Sequence, residues 1–218
     1  MIDKIEKHIK EKKLFSKKDK LLLAISGGAD SVCLFHILKK LGYNIELAHC
    51  NFQLRGKESL RDEEFVKSIA KKYNIKLHLK RFNTDKYIKK HAVSIQMAAR
   101  NLRYNYFDKL LKEYSFNKIV IAHHEDDRIE TFFINLLRGT GIKGLTSMKA
   151  RTGNIVRPLL NFSRQNIESY LKEINAVYCK DSSNQDVKYL RNKIRHSLMP
   201  VLKDINPDFN KIMTKNIS

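Results

Sequence analysis

Apolar residues come in short blocks along this chain, and the spacing within them switches between two periods. Residues 20–26 carry Leu21-Leu22-Leu23-Ala24-Ile25, a run apolar on both faces, which predicts a strand buried on both sides. The next block, Val32-Cys33-Leu34-Phe35-His36-Ile37-Leu38, keeps helical spacing and predicts a helix over about 30–41. Residues 44–49 predict a second strand. Over 59–73, Phe65, Val66, Ile69, Ala70 and Tyr73 fall on one helical face, and 75–82 alternates as a third strand. A long helix is expected over 94–114 and a short buried strand over 118–122. Ile129, Phe132, Phe133, Leu136 and Leu137 then recur at i, i+3, i+4, i+7 and i+8, the stripe of an amphipathic helix.

Strands alternating with helices predict an α/β fold, a mostly parallel, doubly wound, Rossmann-like sheet with helices on both faces. Residues 2–13 read as a polar helix ahead of the first strand. From Gly139 the pattern loosens: Gly139, Gly141, Gly144 and Gly153 are half of the 8 glycines and mark a loop-rich connection. Two helices follow, near 163–174 and 187–198, and then a polar tail; together they predict a small C-terminal helical extension. At 218 residues the chain has ample length for one large core.

Composition narrows the partners. The formal charge is +20, from 43 Lys and Arg against 23 Asp and Glu, which points to a polyanion, most simply nucleic acid. A coding bias toward Lys, Asn and Ile competes as an explanation. Cys33, Cys50 and Cys179 are scattered, with no CxxC pair, so a disulfide framework, structural zinc or an iron–sulfur centre is not expected, and a reducing cytoplasm fits. No apolar run has the length of a membrane helix, so no membrane partner is expected.

The chemistry concentrates at predicted strand ends, where ligands sit in such folds. After strand one comes Ser26-Gly27-Gly28-Ala29-Asp30-Ser31, a tight turn leading into a helix N-terminus. Backbone N–H groups and the helix dipole converge there on a place for an anion. The glycines permit close approach and positive φ, and the serines add hydroxyl donors. Asp30 is repulsive toward phosphate unless it caps the helix or holds Mg²⁺. The loop itself follows neither GxxxxGK[ST] nor GxGxxG. After strand two, His49 is open between an adenine or ribose contact and a satisfied loop histidine. After strand four, Ala122-His123-His124-Glu125-Asp126-Asp127-Arg128-Ile129-Glu130-Thr131 puts Asp127 and Glu130 three apart on one helical face, suited to Mg²⁺ or an ammonium group. The two histidines read as acid–base groups, phosphate donors or part of a helix start. Arg100 and Arg103 lie one turn apart, a phosphate clamp or a solvated face. Asp181-Ser182-Ser183-Asn184 precedes a basic helix carrying Arg191 and Arg195, fit for a phosphate or RNA backbone.

Ser-Gly-Gly-x-Asp-Ser resembles the pyrophosphate loop of the PP-loop ATP-pyrophosphatases. The whole set, SGGADS, HCNFQLR with ES and RDEE, AARNLRY, AHHEDDRIET, NLLRGTGIKGL, RPLL, and DSSN with RNKIR, is similar to the tRNA(Ile)-lysidine synthetases over about 20–200. The resemblance implies an N-terminal helix over 1–19, a PP-loop ATP-binding catalytic domain over 20–160, and an extension of that domain over 161–218. It implies that the family's further C-terminal tRNA-binding domains are absent from this chain. By resemblance, Ser26, Gly27, Gly28, Ala29, Asp30, Ser31 and His49 serve ATP. Asp127 and Glu130, with Asp30, carry catalysis and hold Mg²⁺ and lysine, and Arg191 and Arg195 meet phosphate. The implied partners are isoleucine tRNA, through its anticodon loop, and free lysine, with the chain either single or a homodimer. Two departures stand out: Phe52 and Gln53 replace a histidine and a glycine, and Arg128 replaces an uncharged glutamine. A tRNA thiolase using the same loop and a non-catalytic nucleotide- or RNA-binding module are the alternatives.

Overall fold

The computed structural model describes residues 1–145, 148–180 and 189–217. The predicted turn 181–184 therefore lies outside the described residues. The chain opens with α1 (Ile2–Glu11) and enters β1 (Lys20–Ala24), followed by α2 (Ala29–Lys40), β2 (Asn44–Asn51), α3 (Lys57–Lys72) and β3 (Leu77–Arg81). Next come α4 (Thr84–His91), α5 (Ile95–Glu113), β4 (Lys118–Val120), α6 (Glu125–Leu137) and the short α7 (Ile142–Leu145). A hairpin of β5 (Arg151–Thr152) and β6 (Ile155–Val156) precedes α8 (Arg164–Glu173). The last segments are α9 (Leu190–Lys193), a π-helical turn (Ile194–Leu198), α10 (Met199–Ile205) and α11 (Phe209–Asn216).

The six strands form one sheet in the order β3-β2-β1-β4-β6-β5, parallel except for the β5–β6 pair at one edge. Because successive residues of β1 point to opposite faces, Leu21 and Leu23 join one core and Leu22 the other. The first core gathers α1, α2 and α8 through Ile5, Phe35 and Ile167; the second is filled from α5 by Phe107 and Leu110. The central strand is buried on both faces for that reason. From β1 the chain moves outward to β2 and β3, then crosses back to place β4 on the other side of β1. Strand order thus reverses beside β1, and the loops after β1 and β4 flank the crevice where an open α/β sheet binds its ligand.

Three expectations need correction. The tail expected after residue 198 is helical: Phe209, Met213, Met199 and Ile217 pack with Ile194 against Ile129, Phe132 and Phe133 of α6. Residues 84–91, to which the sequence pattern assigns no element, form α4, started by Asn83, whose side chain accepts the Lys86 N–H at 2.9 Å, and ended by Ala92 at φ 50°. The loop-rich connection after Gly139 contains the hairpin that extends the sheet beyond β4. Among the described residues no helix is long and apolar enough to cross a membrane.

Ile129 is fully buried and links α6 to the C-terminal helices. Ile129→Ala is expected to cost about 2–5 kcal/mol in chemical denaturation. Amide exchange should quicken over 199–217 more than over β1 and β2, which marks that loss as local to this third core.

Candidate active site at the carboxyl ends of β1 and β4

The loop after β1 is held open by its own hydroxyls. Ser31 Oγ accepts the Ser26 N–H at 3.2 Å and donates to the Gly28 carbonyl at 2.9 Å, while Ser26 Oγ accepts the Gly28 N–H at 3.3 Å. Gly27 sits at φ +96°, a conformation that strains any L side chain, and its carbonyl accepts the Cys179 N–H at 2.9 Å. The N-cap of α2 is Gly28, which has no side chain to satisfy the first-turn amides. Those donors and the positive end of the α2 dipole face a cavity of about 870 Å³, lined by Ser26, Gly28, Asp30, Arg55, Arg164 and Lys172.

Asp30 neither caps the helix nor stands free. Its Oδ1 accepts from Arg164 Nη1 at 2.7 Å, and Arg164 Nε is held by Glu168 Oε1 at 2.7 Å. Burial raises the Asp30 carboxyl above its ordinary value, and His124 and Arg164 offset only part of that. His49 lies buried beneath the loop, its Nδ1 donating to the Ile25 carbonyl at 2.8 Å. Burial also lowers its pKa, so it stays neutral. What the structure assigns to His49 is support of the backbone that enters the loop.

Across the crevice, α6 divides its acids between two tasks. Asp126 accepts from Asn210 Nδ2 at 2.8 Å and Glu125 from Thr214 Oγ1 at 2.9 Å, so both fasten the C-terminal helices. Asp127 turns toward the loop side, its Oδ2 accepting the His124 N–H at 3.0 Å and lying 3.6 Å from His124 Nε2. That same Nε2 is 3.8 Å from Asp30, so His124 bridges the two carboxylates. Burial pushes the Asp127 carboxyl up, but His124, His123, Arg191 and the His124 amide outweigh it and hold it below its ordinary value.

Glu130 is placed differently. It is fully buried, and both its oxygens are taken by Arg195, Nε to Oε1 at 2.6 Å and Nη2 to Oε2 at 3.0 Å. Arg191, four residues earlier, donates to Thr131 Oγ1 at 2.9 Å and lies 3.6 Å from Asp127. The π-helical turn that carries Arg195 widens the helix by one residue within reach of this pair. Among the described residues no group of three His, Cys, Asp or Glu side chains is gathered to hold a metal. The three carboxylates named from the sequence do not meet at one point: Asp30 and Asp127 flank His124, and Glu130 belongs to Arg195.

Arg157, directly after β6, was not singled out from the sequence. Its Nε donates to His123 Nδ1 at 3.2 Å, and its Nη1 donates to the Lys149 carbonyl at 2.8 Å. A guanidinium cannot accept, so His123 Nδ1 is the acceptor and Nε2 carries the proton. Burial lowers the His123 pKa to about 4, with Arg157, Arg191 and Arg103 adding to the effect against the charge of Asp127. Arg100 and Arg103 stand at the rim on α5, their guanidinium groups 4.9 Å from the Tyr104 ring and 5.3 Å from the Phe52 ring. Phe52 stacks on Phe82 at 5.6 Å. Arg128 is buried and donates to the Ile217 carbonyl, so it serves the C-terminal helices and not the crevice.

An uncapped helix start after the central strand, opposed by a charged helix start after its neighbour, defines a nucleotide-binding α/β protein whose phosphate loop is Ser26–Ser31. The family model of the PP-loop domain matches residues 1–202, and the chain belongs to the PP-loop family. Within it, the chain is 50% identical to a tRNA(Ile)-lysidine synthase of Bacteroides thetaiotaomicron over 94% of its own length and 48% of the relative's. A Petrotoga mobilis protein of the same name is 40% identical, with 95% of this chain and 68% of the relative covered. The chain spans about half the length of several of the curated relatives it matches. A U34-tRNA thiolase of Methanococcus maripaludis shares the fold at a TM-score of 0.79 and 16% identity, over 99% of this chain and 78% of that one.

Two glycines separate folding from binding. Gly27→Ala forces a side chain into φ +96° and should destabilise the protein by about 1 kcal/mol or more. A Cβ at Gly28 would meet only Ser26 Oγ at 3.5 Å, so Gly28→Val should keep its melting temperature within about 2 °C while losing ATP binding at least tenfold. Calorimetry with ATP on both variants decides between these effects.

The His123 pKa sets a pH window. Its folded value, about 4, lies below the unfolded 6.5, so the stability it contributes is present above 6.5 and is lost as pH falls toward 4. Melting temperatures across that window should fall less steeply for His123→Gln than for the unaltered protein.

Proposed function

We propose that the chain carries the ATP-dependent step of lysidine formation: the wobble cytidine of an isoleucine tRNA is adenylated and lysine is joined to it, releasing AMP and pyrophosphate. The observation that carries this reading is the 50% identity to a tRNA(Ile)-lysidine synthase over 94% of the chain, including both halves of the crevice.

Cytosine O2 is a poor leaving group and needs activation before an amine can replace it. In this reading O2 attacks the α-phosphorus of ATP, and pyrophosphate leaves into the Ser26–Ser31 loop, where backbone amides and the α2 dipole take up its charge. His123, neutral and carrying its proton on Nε2, is a hydrogen-bond donor toward phosphate and not the general base. Lysine's ε-amine then attacks C2 and expels AMP. Asp127 is the group for the ammonium: it is ionised, faces the crevice and keeps an oxygen 3.6 Å or more from the nearest guanidinium nitrogen. With a pKa below the ordinary value it orients the amine and neutralises its charge more than it draws off the proton. Glu130 acts through Arg195, holding that guanidinium in place, and is a positioning residue in this reading.

Mg²⁺ typically takes one or two carboxylates and completes its shell with phosphate and water. Asp30 and Asp127 fit that role, since they stand on either side of His124, whose Nε2 lies 3.8 Å from the one and 3.6 Å from the other. Glu130 does not, because an arginine fills both its oxygens. Bound there, the metal would neutralise the phosphates.

A thiolase reading finds less support. Cys33, Cys50 and Cys179 are unpaired with one another, and burial pushes their thiols up to about 12, 12 and 11, away from reactive thiolate.

The test is purified protein with ATP, lysine and isoleucine tRNA transcript, followed by nucleoside mass analysis. A lysine adduct on cytidine is expected; sulfur incorporation, or binding without product, would replace this reading with the thiolase or the non-catalytic module.

Asp127→Asn should raise the lysine KM by about ten- to a hundredfold, the worth of a charged hydrogen bond. Glu130→Gln should instead lower stability and kcat with little change in lysine KM, because it loosens Arg195. Initial-rate kinetics beside thermal melts separate the two.

The +20 charge and the exposed Arg100 support tRNA binding driven by counterion release. Affinity should fall steeply with salt, and Arg100→Ala should reduce the logarithmic salt slope by about 1. A flat response in filter binding would return the charge to coding bias.

A further inference from the structure

The carboxylate in the middle of the phosphate loop poses an electrostatic problem that the chain solves with a residue 134 positions away. Asp30 faces the cavity where a polyphosphate would lie, and its charge repels that ligand. Arg164 meets it at 2.7 Å from the opposite wall. The guanidinium is not a wandering surface group. Its Nε is fixed by Glu168 at 2.7 Å, one helical turn on. Ser163 caps α8 directly before it, accepting the Asn166 N–H at 3.2 Å, and Ile167, Tyr170 and Leu171 bury the helix against α2. The Phe162 carbonyl accepts the Glu125 N–H at 3.0 Å, so the start of α8 is also tied to the start of α6. Arg164 stays 40% exposed at its side chain and lines the same cavity as Ser26 and Gly28. It therefore has one nitrogen anchored, one nitrogen on Asp30, and open space toward the loop.

We propose that Arg164 is a phosphate-contacting residue of the nucleotide site that exchanges partners with Asp30: paired with the carboxylate while the loop is empty, and turned to the β and γ phosphates when a cation takes Asp30. The inference rests on the reading of Ser26–Ser31 as the ATP phosphate loop and adds to it the residue that makes Asp30 tolerable there. The anchored Nε lets the exchange proceed by a small rotation of the guanidinium, without loss of the Glu168 contact. Each charge keeps a partner in either state, since the arriving cation replaces Arg164 at Asp30 as Arg164 moves to phosphate.

The experiment is calorimetric binding of inorganic pyrophosphate and of a non-cleavable ATP analogue to the full chain, once in EDTA and once in Mg²⁺. Arg164→Ala leaves Asp30 bare beside the anion, so metal-free pyrophosphate binding should weaken at least tenfold, and in Mg²⁺, where Arg164 meets phosphate directly, binding should weaken at least tenfold as well. Arg164→Lys keeps the charge and should recover most of the metal-free affinity. Asp30→Asn should move in opposite directions: tighter for pyrophosphate in EDTA, because it frees Arg164 and removes the repulsion, and weaker in Mg²⁺. The double variant should be non-additive in EDTA. Unchanged metal-free binding by Arg164→Ala overturns the exchange, and so does an equal loss in both buffers that lysine fails to restore, which marks a structural residue. Failure of the unaltered protein to bind either ligand is a different result: it overturns the nucleotide-site reading and the exchange with it.

Discussion

Carboxylates crowded at the carboxyl ends of β1 and β4 are the governing constraint of this molecule. At an effective dielectric near 20, two like charges 4 Å apart repel by about 4 kcal/mol, a large fraction of what one domain has to spare. The chain answers with arginines, each delivered from a different segment. Arg164 at the start of α8 meets Asp30, Arg195 in the π-helical turn closes on Glu130, and Arg191 stands between Thr131 and Asp127. Each of these contacts joins segments more than fifty residues apart. The packing of α8 against α2, and of the C-terminal helices against α6, thereby fixes the charges of the crevice. Stability and site chemistry share the same bonds.

That coupling explains the shape of the third core. Ile129, Ile194, Met199 and Ile217 make a small apolar cluster, too little to hold three helices unaided. Polar links from the α6 first turn supply the rest, Asp126 to Asn210 and Glu125 to Thr214, with Arg128 reaching the Ile217 carbonyl. Those links use the acids a helix favours near its N-terminus. The sequence Glu125-Asp126-Asp127-Arg128 therefore reads as one block but works in two directions. Three of its side chains grip the C-terminal helices, and Asp127 alone faces the loop.

How much was legible follows from the range of each interaction. The strand, turn and helix around Ser26–Ser31 are dictated locally, by Leu21–Leu23 burial, by two glycines and by helical spacing, so they could be read directly. The parallel sheet was legible for the same reason. Arg157 and Arg164 were not, because their meaning comes from His123 and Asp30, 34 and 134 residues away, which no local pattern encodes. An arginine directly following the apolar pair Ile155-Val156 was the available signal for Arg157. The helix α4 escaped because its residues are polar nearly all round, leaving no stripe to find. The C-terminal helices did carry a signal, Phe209, Met213 and Ile217 at i, i+4 and i+8, diluted among lysines and asparagines. Glu130 shares the face of Asp127, as its spacing implies, but its pairing with Arg195 was not legible, since that arginine lies 65 residues away.

The histidines complete the same logic from the neutral side. A charged imidazole among Arg157, Arg191 and Arg103 would add repulsion to a cavity already rich in guanidinium, and burial alone makes that costly. His123 escapes by accepting from Arg157, which fixes its tautomer and leaves its Nε2 proton for use. His49 escapes by donating to Ile25, which fixes the strand end on which the loop is mounted. Burial lowers the pKa of both, that of His123 to about 4, and both sit where strand geometry sets which ring nitrogen they can offer. His123 thus keeps a donor at Nε2 and His49 an acceptor at its own Nε2, and the charged work of the crevice falls to Asp30 and Asp127, which stand on either side of His124.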